Sequence, residues 1–198
     1  MIKSINNVIK ALIFSDFLLQ SGWGLLGPIF AIFITGQIQG GSVAMVGFLA
    51  TAYWLTKSLL QPFIAHQFDK NHGERDDFLF LMGGLILANL VPLGYLFVSL
   101  PWHIFLLEII RGAAMACVVP TWAAIFTRHI DKGREAFSWS LESTSLGFAA
   151  GLAGAFGGII ASTLGFEAIF ILVSVFGLLS SFSLLLVKSC FFPKPNSE

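Results

Sequence analysis

Six long apolar stretches constrain this chain more than any other feature of its sequence. A helix that crosses the hydrocarbon core of a bilayer needs about 20 mostly apolar residues, because every backbone polar group must be satisfied within the segment. The predicted spans are residues 11–35, 43–64, 78–98, 103–127, 136–162 and 166–187. Only short connections separate them. The sequence therefore predicts a single all-α membrane domain over residues 1–198, which ends in a short polar tail at residues 188–198.

Charged residues are too scarce for a soluble domain. They make up 11% of the 198 residues, whereas hydrophobic residues make up 56%. A globular domain carries roughly 25% charged residues. The formal net charge is zero, which leaves no overall field to attract nucleic acid. We therefore expect the lipid bilayer, and no nucleic acid, among the partners of this chain.

Lysine and arginine lie almost entirely on one side of the predicted spans. Nine of the eleven fall in connections or chain ends on that side: Lys3, Lys10, Lys70, Arg75, Arg128, Lys132, Arg134, Lys188 and Lys194. The other two, Lys57 and Arg111, fall inside spans. Cytoplasmic loops retain Lys and Arg, so both termini are predicted to be cytoplasmic. This pattern predicts a multi-pass protein of the plasma or inner membrane.

Ionisable residues inside the spans are the most informative positions, since each is costly in hydrocarbon and usually faces a bundle interior or a wet cavity. They are Asp16, Lys57, Glu108, Arg111 and Glu142. Spans one, two, four and five contain them, whereas spans three and six contain none. This recurrence predicts two three-helix repeats, in which the charged helices build a polar interior.

Polar neighbours at helical spacing extend these faces, with Gln20 and Trp23 following Asp16 on the first span and Tyr53 preceding Lys57 on the second. Such stripes are typical of helices that line an aqueous cavity. We predict that these side chains contact a solute.

The spans contain three carboxylates but only two cations, which leaves one acid without a fixed partner. Asp16 or Glu142 is therefore predicted to bind and release a proton during transport. The alternative is structural: Lys57 would pair with Asp16 or Glu142, as Arg111 would with Glu108, to hold the helices together.

The connection after the second span resembles the loop motif that marks the major facilitator superfamily. That motif has Gly, three residues, Asp, a basic residue, Gly and a further basic residue. Here the segment reads Ala65-His66-Gln67-Phe68-Asp69-Lys70-Asn71-His72-Gly73-Glu74-Arg75, with Ala65 in place of the first Gly and one extra residue before Gly73. The resemblance implies that Asp69, Lys70, Gly73 and Arg75 form a charged cytoplasmic gate loop. A solvated turn that sets orientation is the alternative.

Glycines add to this resemblance. On the first span, Gly22, Gly24 and Gly27-Pro28 are similar to the glycine-rich first helix of the superfamily, which ends in Pro. On the fourth span, Arg111-Gly112 followed by Pro120 is similar to its fourth helix. The fifth span resembles its antiporter-associated motif through Gly147, Gly151, Gly154, Gly157 and Gly158. Tight helix packing is the alternative to a rocking role for these glycines.

The resemblance implies a transporter of a small solute that works by alternating access and is not an enzyme. Members of the superfamily usually have twelve helices, so six helices predict a half-length member or an N-terminal half, completed as a homodimer or by a second six-helix half. Competing hypotheses are a non-transporting structural or assembly subunit and a truncated transporter half. No cofactor is predicted, and no metal site, because the four histidines lie at predicted membrane edges without an HExxH pair.

Overall fold

The computed structural model describes residues 5–71 and 73–186, and every regular element in this part of the chain is helical. The helices are α1 (Asn7–Leu26), α2 (Phe30–Gln37), α3 (Val43–Asn71), α4 (Glu74–Gly94), α5 (Pro101–His129) and α6 (Glu135–Leu186), with a short 3-10 turn at Tyr95–Phe97. The predictions for Lys3, His72, Lys188, Lys194 and the tail at 188–198 lie outside the described residues.

Within the described residues, five helical segments are long and apolar enough to cross a membrane: Asn7–Gln37, Val43–Lys70, Glu74–Phe97, Pro101–His129 and Glu135–Leu186. The last of them has 52 residues. As one straight helix it would extend about 78 Å at about 1.5 Å per residue, which is far more than the roughly 30 Å of a hydrocarbon core.

The last segment is broken at Gly165. Its φ of +83° and ψ of 175° lie in a region of backbone conformation that is essentially restricted to glycine. This residue coincides with the turn predicted between the fifth and sixth spans. We call residues 135–164 the first arm of α6 and residues 166–186 the second arm.

Contacts with α1 show how the two arms run. Along the first arm, Glu142 lies beside Asp16 of α1, and Gly157 packs on the backbone of Leu25. From the first contact to the second, the residue number increases along both helices, so the first arm is parallel to α1.

The second arm contacts α1 in the opposite order. Val173 lies against Gly22, and the hydroxyl oxygen of Ser180 lies 2.8 Å from that of Ser15. The second arm is therefore antiparallel to α1 and to the first arm, and the chain reverses its direction at Gly165.

The first predicted span is two helices rather than one. α1 ends at Leu26 and α2 begins at Phe30, with a turn between them. Pro28 causes the break, because it has no N–H to donate to the carbonyl of Gly24 and its ring crowds that carbonyl. A continuous apolar stretch over residues 11–35 does not reveal this break, since hydropathy reports depth in the bilayer and not helix continuity.

The predicted loop at residues 66–77 is largely helical. α3 continues to Asn71 and α4 begins at Glu74. Ring contact between Phe68 and Phe80, with centroids 4.5 Å apart, holds the two helices together at this point. Polar residues also form helices, so loop bounds drawn from polarity are wrong here.

Buried apolar side chains form two clusters at opposite ends of the bundle. One cluster includes Leu12, Phe78, Leu81 and Phe126, and it lies at the end that carries Lys10, Lys70 and Arg128, which we call the basic end. The other cluster includes Ile34, Tyr95, Ile104 and Phe170. The polar residues of the spans lie between and beside these clusters, so the packing of the two ends sets their positions.

Candidate functional site

A cavity of about 370 Å³ lies between the two core clusters, at the meeting of α1, α3 and α5. Its lining includes five of the residues predicted from the sequence: Gln20, Trp23, Tyr53, Glu108 and Arg111. Trp54 also lines it and is 57% exposed, so the cavity opens to the surface of the chain. We call it the arginine cavity.

Arg111 and Glu108 form a buried ion pair on one face of α5. The Arg111 Nε atom donates a hydrogen bond of 3.1 Å to Glu108 Oε2, and Nη2 donates to the same oxygen. The i, i+3 spacing places these side chains one above the other on a helix, which is why the pair was predictable from the sequence. Glu108 is only 2% exposed, so Arg111 provides the countercharge that a buried carboxylate requires.

Tyr95 completes this arrangement and was missed by the sequence analysis. Its hydroxyl group donates a hydrogen bond to Glu108 Oε1, so both oxygens of Glu108 are engaged. Tyr95 follows the end of α4 and is 2% exposed. A buried tyrosine usually finds a partner for its hydroxyl, which was the available signal, but the sequence does not show which partner.

Two aromatic rings flank the guanidinium of Arg111. Its Cζ atom lies 3.7 Å from the centre of the Tyr53 ring and 4.6 Å from the centre of the Trp23 ring. The Trp23 Nε1 atom donates a hydrogen bond of 3.3 Å to Asn89 Oδ1 on α4, which helps to orient the indole. Cation–π contacts of this kind are worth about 0.5–2 kcal/mol each. Arg111 is therefore held by charge and by ring faces together.

Gly112 allows α3 and α5 to approach closely beside this cluster. A Cβ atom at this position would lie 2.7 Å from the carbonyl oxygen of Tyr53 and 3.1 Å from the Cβ of Thr56. Any larger residue would push the helices apart, and the Tyr53 ring would then move away from Arg111.

Asp16 and Glu142 form a second polar site, which we call the acid pair. Their carboxyl groups lie next to each other. Glu142 is only 3% exposed, and neither of its oxygens accepts a hydrogen bond from an N–H or hydroxyl group of the described residues. In the same part of the chain, no lysine or arginine forms an ion pair with either acid.

Lys57 was expected, in the structural alternative, to pair with Asp16 or Glu142. Instead, its Nζ atom lies over the ring of Trp54, 4.7 Å from the ring centre. The structure shows no ion pair of Lys57 with Asp16 or Glu142 among the described residues. Helix packing turns Lys57 towards Trp54, and the position of a charge along a span does not determine the direction in which its side chain points.

The predicted packing glycines of the first arm divide into two groups. Gly157 packs on the backbone of Leu25, and Gly154 faces Pro28. At Gly147, Gly151 and Gly158, a Cβ atom would have no neighbour within 4 Å. Gly157 thus supports the approach of α1 to the first arm that brings the acid pair together, whereas the second group faces outward.

The predicted gate residues lie at the basic end. Asp69 and Lys70 belong to the last turn of α3, Gly73 precedes α4, and Arg75 lies exposed in the first turn of α4. Asp69 lines a second cavity, of about 280 Å³, together with Asp77 and Arg128.

Asp77 and Arg128 form an ion pair in that cavity, in which Arg128 Nη2 donates a hydrogen bond to Asp77 Oδ2. Asp77 is 5% exposed. The sequence analysis used Arg128 only to set orientation and did not single out Asp77. The ion pair connects α4 to the end of α5, 51 residues further along the chain. Its two residues are brought together by helix packing, so their spacing in the sequence does not predict the pair.

Comparison with known families agrees with this arrangement. The sequence model of the Major Facilitator Superfamily matches residues 12–198. The chain belongs to this superfamily. Its members are membrane transporters, and the match confirms the family that the loop and glycine motifs resemble. No curated protein matches the chain.

Proposed function

We propose that the chain is a secondary active transporter of a small solute that works by alternating access and is coupled to protons. In this proposal the arginine cavity binds the solute and the acid pair binds the proton. The observation that carries it is the separation of two polar sites in one bundle. One is an open cavity with a clamped cation, and the other is two facing carboxyl groups without a cation among the described residues.

The acid pair suits a proton site for a physical reason. Two carboxylates in contact repel each other strongly, whereas a carboxyl group and a carboxylate share a hydrogen bond. Asp16 belongs to α1 and Glu142 to the first arm of α6. Binding a proton would therefore draw these two helices together, and releasing it would drive them apart. This connects protonation to a movement of helices, which is what coupling requires.

We propose six membrane crossings, which the reversal at Gly165 supports. The second arm, at residues 166–186, is about 31 Å long at about 1.5 Å per residue, so each arm is long enough to cross alone. We propose that both termini lie in the cytoplasm, because the basic end carries Lys10, Lys70 and Arg128 and such residues are retained on the cytoplasmic side. The proposed membrane is the plasma or inner membrane.

A second six-helix unit, either another copy or a separate half, would close the cavity. Support comes from the exposed Trp54 at the cavity mouth and from Gly147, Gly151 and Gly158, which face outward. Small residues permit close helix approach in membranes. A two-fold axis along the membrane normal would relate two copies in the same way as the parallel repeats of full-length transporters.

Proteoliposomes test the proposal. The purified chain is reconstituted with a pH-sensitive dye inside, and proton entry is followed as small organic anions, cations and neutral compounds are added in turn. We expect at least one compound to drive proton entry, and Glu142→Gln to abolish that response. Glu167→Gln is the matched control, since Glu167 belongs to the same element but is exposed, and it should respond like the wild type.

Two results would contradict the proposal. If none of the added compounds changes proton entry, the chain alone is not a proton-coupled transporter of these solutes. If Glu142→Gln and Glu167→Gln respond equally, the acid pair is not the proton site.

A further inference from the structure

A positive charge without an ion-pair partner in the described part of the chain lies beside the arginine cavity. Arg111 and Glu108 line the cavity and neutralise each other, and the Nζ atom of Lys57 lies 4.7 Å from the centre of the ring of Trp54, which also lines it. Lys57 forms no ion pair among the described residues, so it adds one positive charge next to the cavity. The acid pair does not cancel it, because the carboxyl group of Asp16 contacts Glu142 instead.

Glu108 offers nothing to a cationic solute. Its Oε1 atom accepts a hydrogen bond from Tyr95, and its Oε2 atom accepts two from Arg111. A carboxylate engaged in this way is a countercharge for Arg111 rather than a solute ligand.

Arg111 keeps donor capacity for a solute. Its Nε and Nη2 atoms are used by Glu108, whereas its Nη1 atom forms no hydrogen bond to any described residue. A guanidinium group has five N–H donors in a fixed plane, so N–H groups on Nη1 remain available. A charged donor of this kind attracts a negatively charged acceptor.

The rest of the lining is mostly apolar. Trp23, Phe30, Val46, Trp54 and Met115 contribute it, and ring faces already flank the guanidinium on two sides. The volume of about 370 Å³ is within the range of about 300–1,000 Å³ of small-molecule sites. A solute with an aromatic or similarly compact apolar body would fill this space.

We infer that the arginine cavity selects a small organic monoanion, whose anionic group binds Arg111 and whose apolar body packs on the rings of Trp23 and Trp54. A zwitterion or a cation finds no free carboxylate among the described lining residues, because both oxygens of Glu108 are engaged and the other acceptors, on Gln20 and Tyr53, are neutral. This inference rests on the proposed function for the role of the cavity, but it concerns only which class of solute binds.

Calorimetric titration of the full chain in lipid nanodiscs tests the inference with three probes of nearly equal apolar body: 2-naphthoate, 2-naphthylmethanol and 2-naphthylmethylammonium. Heats from empty nanodiscs are subtracted to remove partition into lipid. We expect 2-naphthoate to bind at least about tenfold more tightly than the other two, a difference of about 1.4 kcal/mol.

Lys57→Gln and Lys132→Gln then form a matched pair of variants. Each removes one positive charge, but Lys132 lies exposed in the connection before α6, away from the cavity. We expect Lys57→Gln to weaken 2-naphthoate binding about tenfold, because a unit charge near a partly buried site contributes a few kcal/mol at most. Lys132→Gln should leave binding unchanged.

Equal or tighter binding of the alcohol or the ammonium compound would overturn the inference, as would equal effects of the two lysine variants. Failure of all three probes to bind would overturn it as well. The proton-entry assay decides the proposed function separately, since it can succeed with a cation or a neutral compound while this inference fails.

Discussion

The arginine cavity and the acid pair are two different solutions to the same problem, which is to place charge inside a membrane. In the arginine cavity, Arg111 is neutralised within the chain by Glu108, and Tyr95 satisfies the remaining oxygen. In the acid pair, Asp16 and Glu142 face each other without a cation from the described residues. The first site holds a countercharge of its own, whereas the second holds two acids, for which we propose a bound proton.

This difference separates a stable site from a switchable one. Removing one member of a buried ion pair leaves an uncompensated charge. Removing the charge of one member of an acid pair relieves repulsion and keeps a hydrogen bond. The two sites therefore respond in opposite ways to the same chemical change, and the following predictions use that contrast.

Arg111→Ala should have the largest effect on stability, about 3–5 kcal/mol, because it leaves Glu108 buried without a countercharge. Thermal and chemical unfolding in detergent micelles would measure it. The double variant Glu108→Met with Arg111→Met is the control, and it should recover most of the loss. A single variant as stable as the wild type would show that the ion pair is not a structural clamp.

Gly157→Ala should destabilise the chain by about 3 kcal/mol, at the upper end of the range for overpacking. Its new methyl group would meet the backbone of Leu25, which cannot rotate away, so α1 and the first arm would separate at the acid pair. Gly158→Ala is the matched control, with open space at the new methyl group and an expected change within about 0.5 kcal/mol. If the two variants have the same unfolding midpoint, the close contact between Gly157 and Leu25 is ruled out.

Tyr95→Phe should cost about 1.5–3 kcal/mol, the usual value of a hydrogen bond to a charged group. The ring stays in the core beside Phe170, so only the bond to Glu108 is lost. Tyr53→Phe is the comparison, since the Tyr53 ring contacts Arg111 and the structure shows no hydrogen bond from its hydroxyl to the described residues. Denaturation curves should show a smaller change for it, and the reverse order would show that Tyr95 does not hold Glu108.

Asp16→Asn should have the smallest effect on stability, within about 0.5 kcal/mol. The new amide donates to Glu142 in place of the shared proton, so the contact survives. Glu108→Gln makes the equivalent change at the other site and should destabilise the chain strongly, since Arg111 loses its countercharge. Differential scanning fluorimetry of both variants would measure the contrast, and a large loss for Asp16→Asn would mean that the acid pair is a structural contact.

Predictions from the sequence succeeded where neighbours are local. Glu108 and Arg111 are three residues apart on one helix, so their ion pair follows from helical geometry. The turn at Gly165 follows from the length of the apolar stretch around it. The superfamily was identified from short motifs because their order along the chain is itself local information.

Predictions were incomplete where two helices have to meet. Tyr95 reaches Glu108 from the end of α4, 13 residues away, and Trp23 reaches Asn89 across 66 residues. Lys57 points to Trp54 rather than to an acid. Depth in the bilayer can be counted along a helix, but the rotation of that helix about its axis is decided by its neighbours.

By itself, the sequence determined that this chain lies in a membrane and belongs to a transporter superfamily, and it offered the pairing of Arg111 with Glu108 as one of two alternatives. Hydropathy, motif order and helical spacing are sufficient for those conclusions. Only the tertiary structure decided that Asp16 meets Glu142, and that Arg111 opens onto an apolar cavity. The reason is that contacts between distant helices depend on packing at close approaches such as Gly112, where the absence of a side chain sets the distance between two backbones.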